Sequence, residues 1–160
     1  TLIDTIESRY TTFARGDTSD ESLRASRRHR AFGGFSMGAT TTWDVFALRP
    51  QYFYGYMPMA GESWIGHAED ADEERIGQLV TDGALRAGYG PSDFRILASV
   101  GSEDPALWDM TPQLDELYQD YPDLMTESSL QVWIDDGEDH SMTSVCNQVA
   151  HNLPLLFPHS

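Results

Sequence analysis

The stretch Ala31-Phe32-Gly33-Gly34-Phe35-Ser36-Met37-Gly38-Ala39 decides how this chain is read. Ala31 to Phe35 is a short apolar run and reads as a buried strand. From residue 37 to 48 the pattern turns helical, with Trp43, Val45, Phe46 and Leu48 as its apolar residues and Arg49-Pro50 as the stop. The junction is Gly34-Phe35-Ser36-Met37-Gly38, a G-x-S-x-G string. Short strings of this kind arise by chance, so its position carries the weight. A strand that turns directly into a helix brings its two arms into close approach, and glycines on both sides of the serine permit that. Such a turn pushes the hydroxyl out beyond the carboxyl edge of the sheet, as a nucleophile elbow does. The alternative is an inert serine in a glycine-rich turn.

Downstream the alternation continues. Residues 52–60 are aromatic and Met-rich and read as a strand, with Met57 and Met59 facing the core. Residues 69–87 carry Ile76, Leu79, Val80 and Leu85 at helical spacing. Residues 94–100 read as a strand, 109–120 as a helix, 129–135 as a strand, and 141–157 as a last helix with Pro154 near its end. Upstream, Leu2, Ile3, Ile6, Tyr10 and Phe13 give a helix over 2–14, ended by Gly16-Asp17, and the polar stretch 16–29 reads as a loop. Arg27-Arg28-His29-Arg30 reads as a solvated approach to the first strand rather than an anion site. Strands alternating with helices four times place the chain in the α/β class, with a mostly parallel sheet flanked by helices.

At 160 residues the chain is expected to form a single domain, 1–160, with 40% hydrophobic and 11% aromatic residues to supply its core. The net charge is −16, and all ten basic residues are Arg. That balance disfavours nucleic acid and anionic membrane surfaces as partners. It points to an uncharged or cationic partner, or to genome composition or salt adaptation. No apolar run approaches the roughly 20 residues of a membrane span. Cys146 is the one cysteine, which excludes a disulfide within the chain. The chain opens on Thr1 with neither a start methionine nor a signal peptide, and is expected to derive from something longer.

A serine hydroxyl needs a base within hydrogen-bond reach, and the base needs an orienting carboxylate. After an elbow of this kind the chain order is serine, acid, histidine. Asp104 lies in Gly101-Ser102-Glu103-Asp104-Pro105, just past the strand at 94–100, at the same sheet edge as Ser36. Glu103 is adjacent and is the substitute. Asp104 is favoured because Pro105 keeps the helix from starting early; Asp104 as a helix N-cap is compatible with the same role. His140 lies in the loop between the strand at 129–135 and the last helix, where it can swing over the elbow. His29 precedes the elbow strand, His67 lies in a loop, His151 falls inside the last helix and His159 at the chain end. Met37 follows the nucleophile, so its backbone N–H is one oxyanion donor. The second donor normally comes from a strand and loop earlier in the chain, and nothing before residue 31 offers one. Trp64, past the strand at 52–60, reads equally as a substrate-contacting aromatic or a buried loop anchor. No cofactor motif and no metal-ligand spacing is present. Asp135, Asp136, Glu138 and Asp139 read as a solvated charge run rather than a calcium cage.

Four segments together carry a resemblance. Gly33-Gly34-Phe35-Ser36-Met37-Gly38-Ala39, Met57-Pro58-Met59-Ala60-Gly61-Glu62-Ser63-Trp64, Gly101-Ser102-Glu103-Asp104 with Met110-Thr111-Pro112-Gln113, and Asp139-His140 before a helix resemble the feruloyl esterases. These are α/β-hydrolase domains often attached to bacterial xylanases, in a group that also holds acetyl-xylan esterases and acyltransferases. The resemblance spans roughly residues 1–157. It implies Ser36, Asp104 and His140 as the triad, Trp64 lining the pocket for an aromatic acid, and secreted or periplasmic hydrolysis of the ester joining ferulate to arabinoxylan. It also implies that this chain is the C-terminal portion of the domain. In the family, half the sheet and the second oxyanion donor precede the helix matched by residues 1–14. The strand at 31–35 would then be a sheet edge, to be paired by the missing N-terminal segment or a companion chain. The expected function is a serine carboxylesterase acting on feruloylated arabinoxylan or its oligosaccharides. The alternatives are an acetyl-xylan esterase or sugar acyltransferase on the same fold, or a non-catalytic carbohydrate-binding module.

Overall fold

The computed structural model describes residues 2–65 and 75–157. In chain order the elements are α1 (Leu2–Arg9), α2 (Asp20–Ala25), β1 (Ala31–Phe35), α3 (Met37–Leu48), β2 (Gly55–Met59), α4 (Ile76–Arg86), β3 (Arg95–Gly101), α5 (Ala106–Asp120), β4 (Leu130–Asp135) and α6 (Met142–Asn152). Among the described residues the strands form one sheet, in the order β1-β2-β3-β4, and every pair is parallel. The register aligns Phe35 with Met59, Met59 with Ser99, and Gly101 with Asp135. All four strands therefore end at one edge, and the loops after them share it. An open parallel sheet places its ligand sites along that edge.

Helices cover both faces. Tyr56, Ile96, Ala98 and Val100 point into a large core with Trp43 and Phe46 of α3, Val80 of α4 and Leu117 of α5. The alternate strand residues Met57, Met59 and Leu97 point the other way, where they meet Leu156 and Val149 of the C-terminal segment in a much smaller cluster. The period-2 alternation of strand side chains produces this division.

Several boundaries depart from the sequence pattern. The first helix stops at Arg9, not residue 14; Phe13 lies beyond it and stacks on His29 with ring centroids 3.5 Å apart. The stretch 16–29, expected as loop, contains α2, whose start is capped by the Ser19 hydroxyl accepting from Ser22 N–H, and a 3-10 turn over Arg27–His29. A helix of six residues with one buried apolar side chain, Leu23, is too short to show a period. The last helix gives way at Asn152 to a 3-10 turn, Leu153–Leu155, around Pro154. The strand at 31–35 is not fully buried: its residues are partly exposed and Gly33 is open, because β1 pairs with β2 alone among the described residues.

The arginine cluster is also corrected, since two of its members are structural clamps rather than solvated side chains. Arg27 is buried and donates to the carbonyls of Pro50 (3.2 and 3.1 Å), Phe53 (2.8 Å) and Asp93 (2.7 Å), with Tyr89 4.4 Å from the guanidinium. Arg30 pairs with buried Glu7 at 2.9 Å and donates to the carbonyls of Leu23 and Tyr52. Arg28 alone stays at the surface, 3.3 Å from Asp93. Arg27→Met should strand three carbonyls in a buried site. The expected cost is on the order of 3 kcal/mol, seen as a Tm lower by about 10 °C in thermal unfolding followed by circular dichroism.

Candidate active site

The elbow begins where β1 ends. Ser36 has φ 59° and ψ −120°, a conformation that a residue with a side chain rarely adopts. Its N–H donates to Met59 O across the sheet at 2.8 Å, and its carbonyl accepts from Ala39 N–H at 2.8 Å as the first bond of α3. The strained residue is thus held by the ladder behind it and the helix ahead of it. A Cβ on Gly34 would lie 2.7 Å from the backbone of Gly38, so the strand and the helix can meet only without one. The Ser36 hydroxyl makes no capping bond to α3, which leaves it available to a base. Met37 is the first helical residue. Its N–H has no carbonyl one turn earlier within the helix to bond to, and it lies at the positive end of the helix dipole.

Asp104 follows β3 and is buried to 1% exposure. Its Oδ1 accepts from Ala106 N–H at 2.9 Å and its Oδ2 lies 2.8 Å from His140 Nδ1. The carboxylate therefore caps α5 and holds the imidazole at once. Glu103 is exposed and meets the His140 loop only through its backbone N–H, which donates to Glu138 O at 3.0 Å. The helix starts at Ala106, three residues before the sequence pattern placed it. Pro105 does not delay it, because a fixed φ of −55° suits a helix start.

His140 sits on the six-residue connection between β4 and α6. Its ring packs on Phe35, the residue before Ser36, with centroids 4.4 Å apart. A carboxylate in its ionised form only accepts, so when it holds a neutral imidazole Nδ1 donates and Nε2 is left to accept. Of the other histidines, His29 is stacked on Phe13 and His151 on Trp133, while His67 and His159 lie outside the described residues.

Trp64 is about half-exposed at 45%, and its Nε1 donates to Glu62 Oε1 at 2.5 Å. It is not the anchor of its loop. Buried Ser63 is: its N–H donates to Gln113 Oε1 at 2.7 Å and its hydroxyl to Asp44 Oδ1 at 3.0 Å. Trp43 Nε1 donates to Gly61 O at 3.0 Å from the other side. The indole is thus carried at the open edge by a loop fixed to α3 and α5.

The acidic run also divides. Asp136 and Asp139 are solvated, but Asp135 is buried and accepts from Asn147 Nδ2 at 3.1 Å. Among the described residues no three His, Cys, Asp or Glu side chains are grouped to hold a metal ion, and no helix is long and apolar enough to cross a membrane.

Sequence reasoning missed the supports. Gly101 is one: a Cβ there would lie 2.1 Å from Glu138 O, so the His140 loop rests directly on the end of β3. Gly101→Ala should push that loop away. The expected cost is about 1–3 kcal/mol by urea unfolding, with a marked fall in kcat on any ester the protein turns over. Phe35 and Ser63 are the others. Each appears in a quoted segment, but its contact depends on a partner far away in sequence.

No family model matches the chain. Among solved structures, a mutant of the feruloyl esterase module from Clostridium thermocellum complexed with sinapinate superposes with a TM-score of 0.87 and 28% identity, over 99% of this chain and 56% of that one. This is an α/β-hydrolase fold similar to the feruloyl esterases. A second esterase structure of this type matches at 30% identity with the same coverage and TM-score. Endo-1,4-beta-xylanase Y of Acetivibrio thermocellus is 29% identical over 98% of the chain, which corresponds to 14% of that protein. A fluorophosphonate-binding serine hydrolase of Staphylococcus aureus, at 15% identity and a TM-score of 0.60, shares the fold. The chain thus spans about half the length of the solved feruloyl esterase modules it matches.

Proposed function

We propose that this chain carries the nucleophile, acid and base of a serine carboxylesterase that hydrolyses feruloyl and related hydroxycinnamoyl esters on plant cell-wall xylan. The observation that carries the proposal is the Asp104–His140 bond of 2.8 Å, on an imidazole that packs against the residue preceding a strained Ser36. Likeness to the feruloyl esterase modules supports the substrate class.

In this reading Ser36 Oγ attacks the ester carbonyl while His140 Nε2 takes its proton. Met37 N–H donates to the oxyanion. The imidazolium, steadied by Asp104, returns the proton to the departing sugar hydroxyl and leaves a feruloyl-serine ester. Water then enters, gives a proton to His140 and its oxygen to the acyl carbon, and ferulate leaves as Ser36 regains its proton. Trp64 offers its ring to the aromatic acid.

The substrate is feruloylated arabinoxylan or an oligosaccharide cut from it, so the enzyme works outside the cell. Residues 1–160 form the C-terminal portion of one hydrolase domain. A further segment of that domain, or a companion chain, pairs along β1 and supplies the second oxyanion donor. The edge position of β1 supports this, as does the apolar cavity of about 620 Å³ beside it, lined by Ile3, Ile6, Phe13 and Phe32. Release of free ferulate from a feruloylated arabino-oligosaccharide, resolved by chromatography, tests the reading. Ferulate transferred to an added sugar in preference to water would make the protein an acyltransferase. Binding without turnover would make it a carbohydrate-binding module.

A further inference from the structure

The loop that carries His140 leaves β4 at Asp135 and joins α6 at Met142. We infer that Asp135, with the buried hydrogen-bond chain that ends on it, is the positioning device for His140: it ties together the two ends of that loop and fixes both to β3. The inference rests on His140 being the base of the esterase proposed above.

The chain runs in one direction. Asn152 Nδ2 donates to Ser99 Oγ (2.9 Å), Ser99 Oγ to Gln148 Oε1 (2.8 Å), and Gln148 Nε2 to Ser144 Oγ (2.8 Å). Ser144 Oγ then donates to Asp135 Oδ2 (3.5 Å), which also accepts from Asn147 (3.1 Å). A carboxylate has acceptor sites and no donor, so it is the natural terminus, and every donor in the series points towards it. Such chains polarise one another in a low-dielectric interior. Ser99, Ser144 and Gln148 are fully buried, and each is bonded.

Stability alone does not call for this arrangement, because well-packed apolar residues can replace a buried polar network at little or no loss. A hydrogen-bond chain supplies a fixed register instead. The sheet face under α6 has few other means of fixing one. Its apolar cluster holds four buried residues, Met57, Met59, Leu97 and Leu156. A small greasy contact lets a helix slide; directional bonds do not.

Asp135 reaches each neighbour of the base. Its carbonyl accepts from Ser102 N–H (2.9 Å) on the Asp104 loop and from Glu138 N–H (3.3 Å) on the His140 loop. Its carboxylate holds Ser144 and Asn147 on α6, whose N-cap, Ser141, directly follows His140 and accepts from Ser144 N–H. One residue thus sets the strand end, the loop and the helix start between which the imidazole is suspended.

The test is steady-state hydrolysis of methyl ferulate by this chain together with the segment that completes its domain along β1, with folding followed by thermal melting. Asp135→Ala is expected to lower kcat about tenfold to a hundredfold, as a displaced base would, with KM changed by less than about twofold because Trp64 belongs to another loop. Asp135→Asn keeps an acceptor oxygen and should restore kcat to within about threefold of wild type. Wild-type kcat in Asp135→Ala overturns the inference. So does a loss that the asparagine leaves unrelieved. If Asp135→Ala does not fold, Ser144→Ala cuts the chain one link away, and the same loss confined to kcat supports the inference while an unchanged kcat overturns it. A wild-type protein that includes the segment completing the domain along β1 and still shows no ester turnover refutes the esterase reading itself, and this inference with it.

Discussion

Ser36→Ala should lower turnover of methyl ferulate by about five to six orders of magnitude, the scale at which loss of a triad nucleophile acts. The loss falls on kcat, because the hydroxyl forms the bond that defines the reaction and contributes little to holding the ester. Stability should move by less than about 1 kcal/mol. The hydroxyl makes no capping bond to α3, and the bonds from Ser36 N–H to Met59 O and from Ala39 N–H to Ser36 O belong to the backbone. Alanine at φ 59° is strained much as serine is. Assay of kcat beside a urea melt separates the two effects. Retained turnover in the alanine variant would remove Ser36 from the chemistry.

Asp104→Asn should cost about 10⁴-fold in kcat with the fold retained. An asparagine at this place still accepts from Ala106 N–H through Oδ1, so α5 keeps its cap. Its amide nitrogen then faces His140 Nδ1, where the carboxylate oxygen accepted at 2.8 Å. Two donors cannot share that contact. The imidazole moves its proton to Nε2, the nitrogen that must accept from Ser36, or turns away. Glu103→Gln is the matched control. Glu103 is exposed and reaches the loop through its backbone alone, so kcat should stay within about twofold of wild type. A large loss in Glu103→Gln with activity kept in Asp104→Asn would reverse the assignment of the acid.

The strand-and-helix alternation was legible because the elements are long enough to show a period and because Gly34 and Gly38 punctuate the sharpest turn. The helix 37–48 coincides with the observed Met37–Leu48. The meeting of Asp104 and His140 was readable for a related reason: parallel strands deliver their following loops to one edge, so residues just past strand ends converge wherever they stand in the chain. What stayed hidden was settled by distant partners. Arg27 looks like a surface residue until the carbonyls of Pro50 and Asp93, 23 and 66 positions away, close around it. Asp135 looks like one more acid in a solvated run until α6 folds back over it. The helix α2 was read as part of a polar loop, because six residues with one buried apolar side chain show no period. Burial of β1 was overestimated because an apolar composition does not say whether a strand lies inside the sheet or at its edge.

Intact mass spectrometry after treatment with a fluorophosphonate probe tests most directly whether serine, base and acid form one working site, since the probe reacts only where an activated hydroxyl meets oxyanion donors. The predicted result is a single adduct that fragmentation places on Ser36, abolished in Ser36→Ala and slowed in Asp104→Asn. No adduct on a folded protein that is otherwise complete, or an adduct on another residue, would contradict the account.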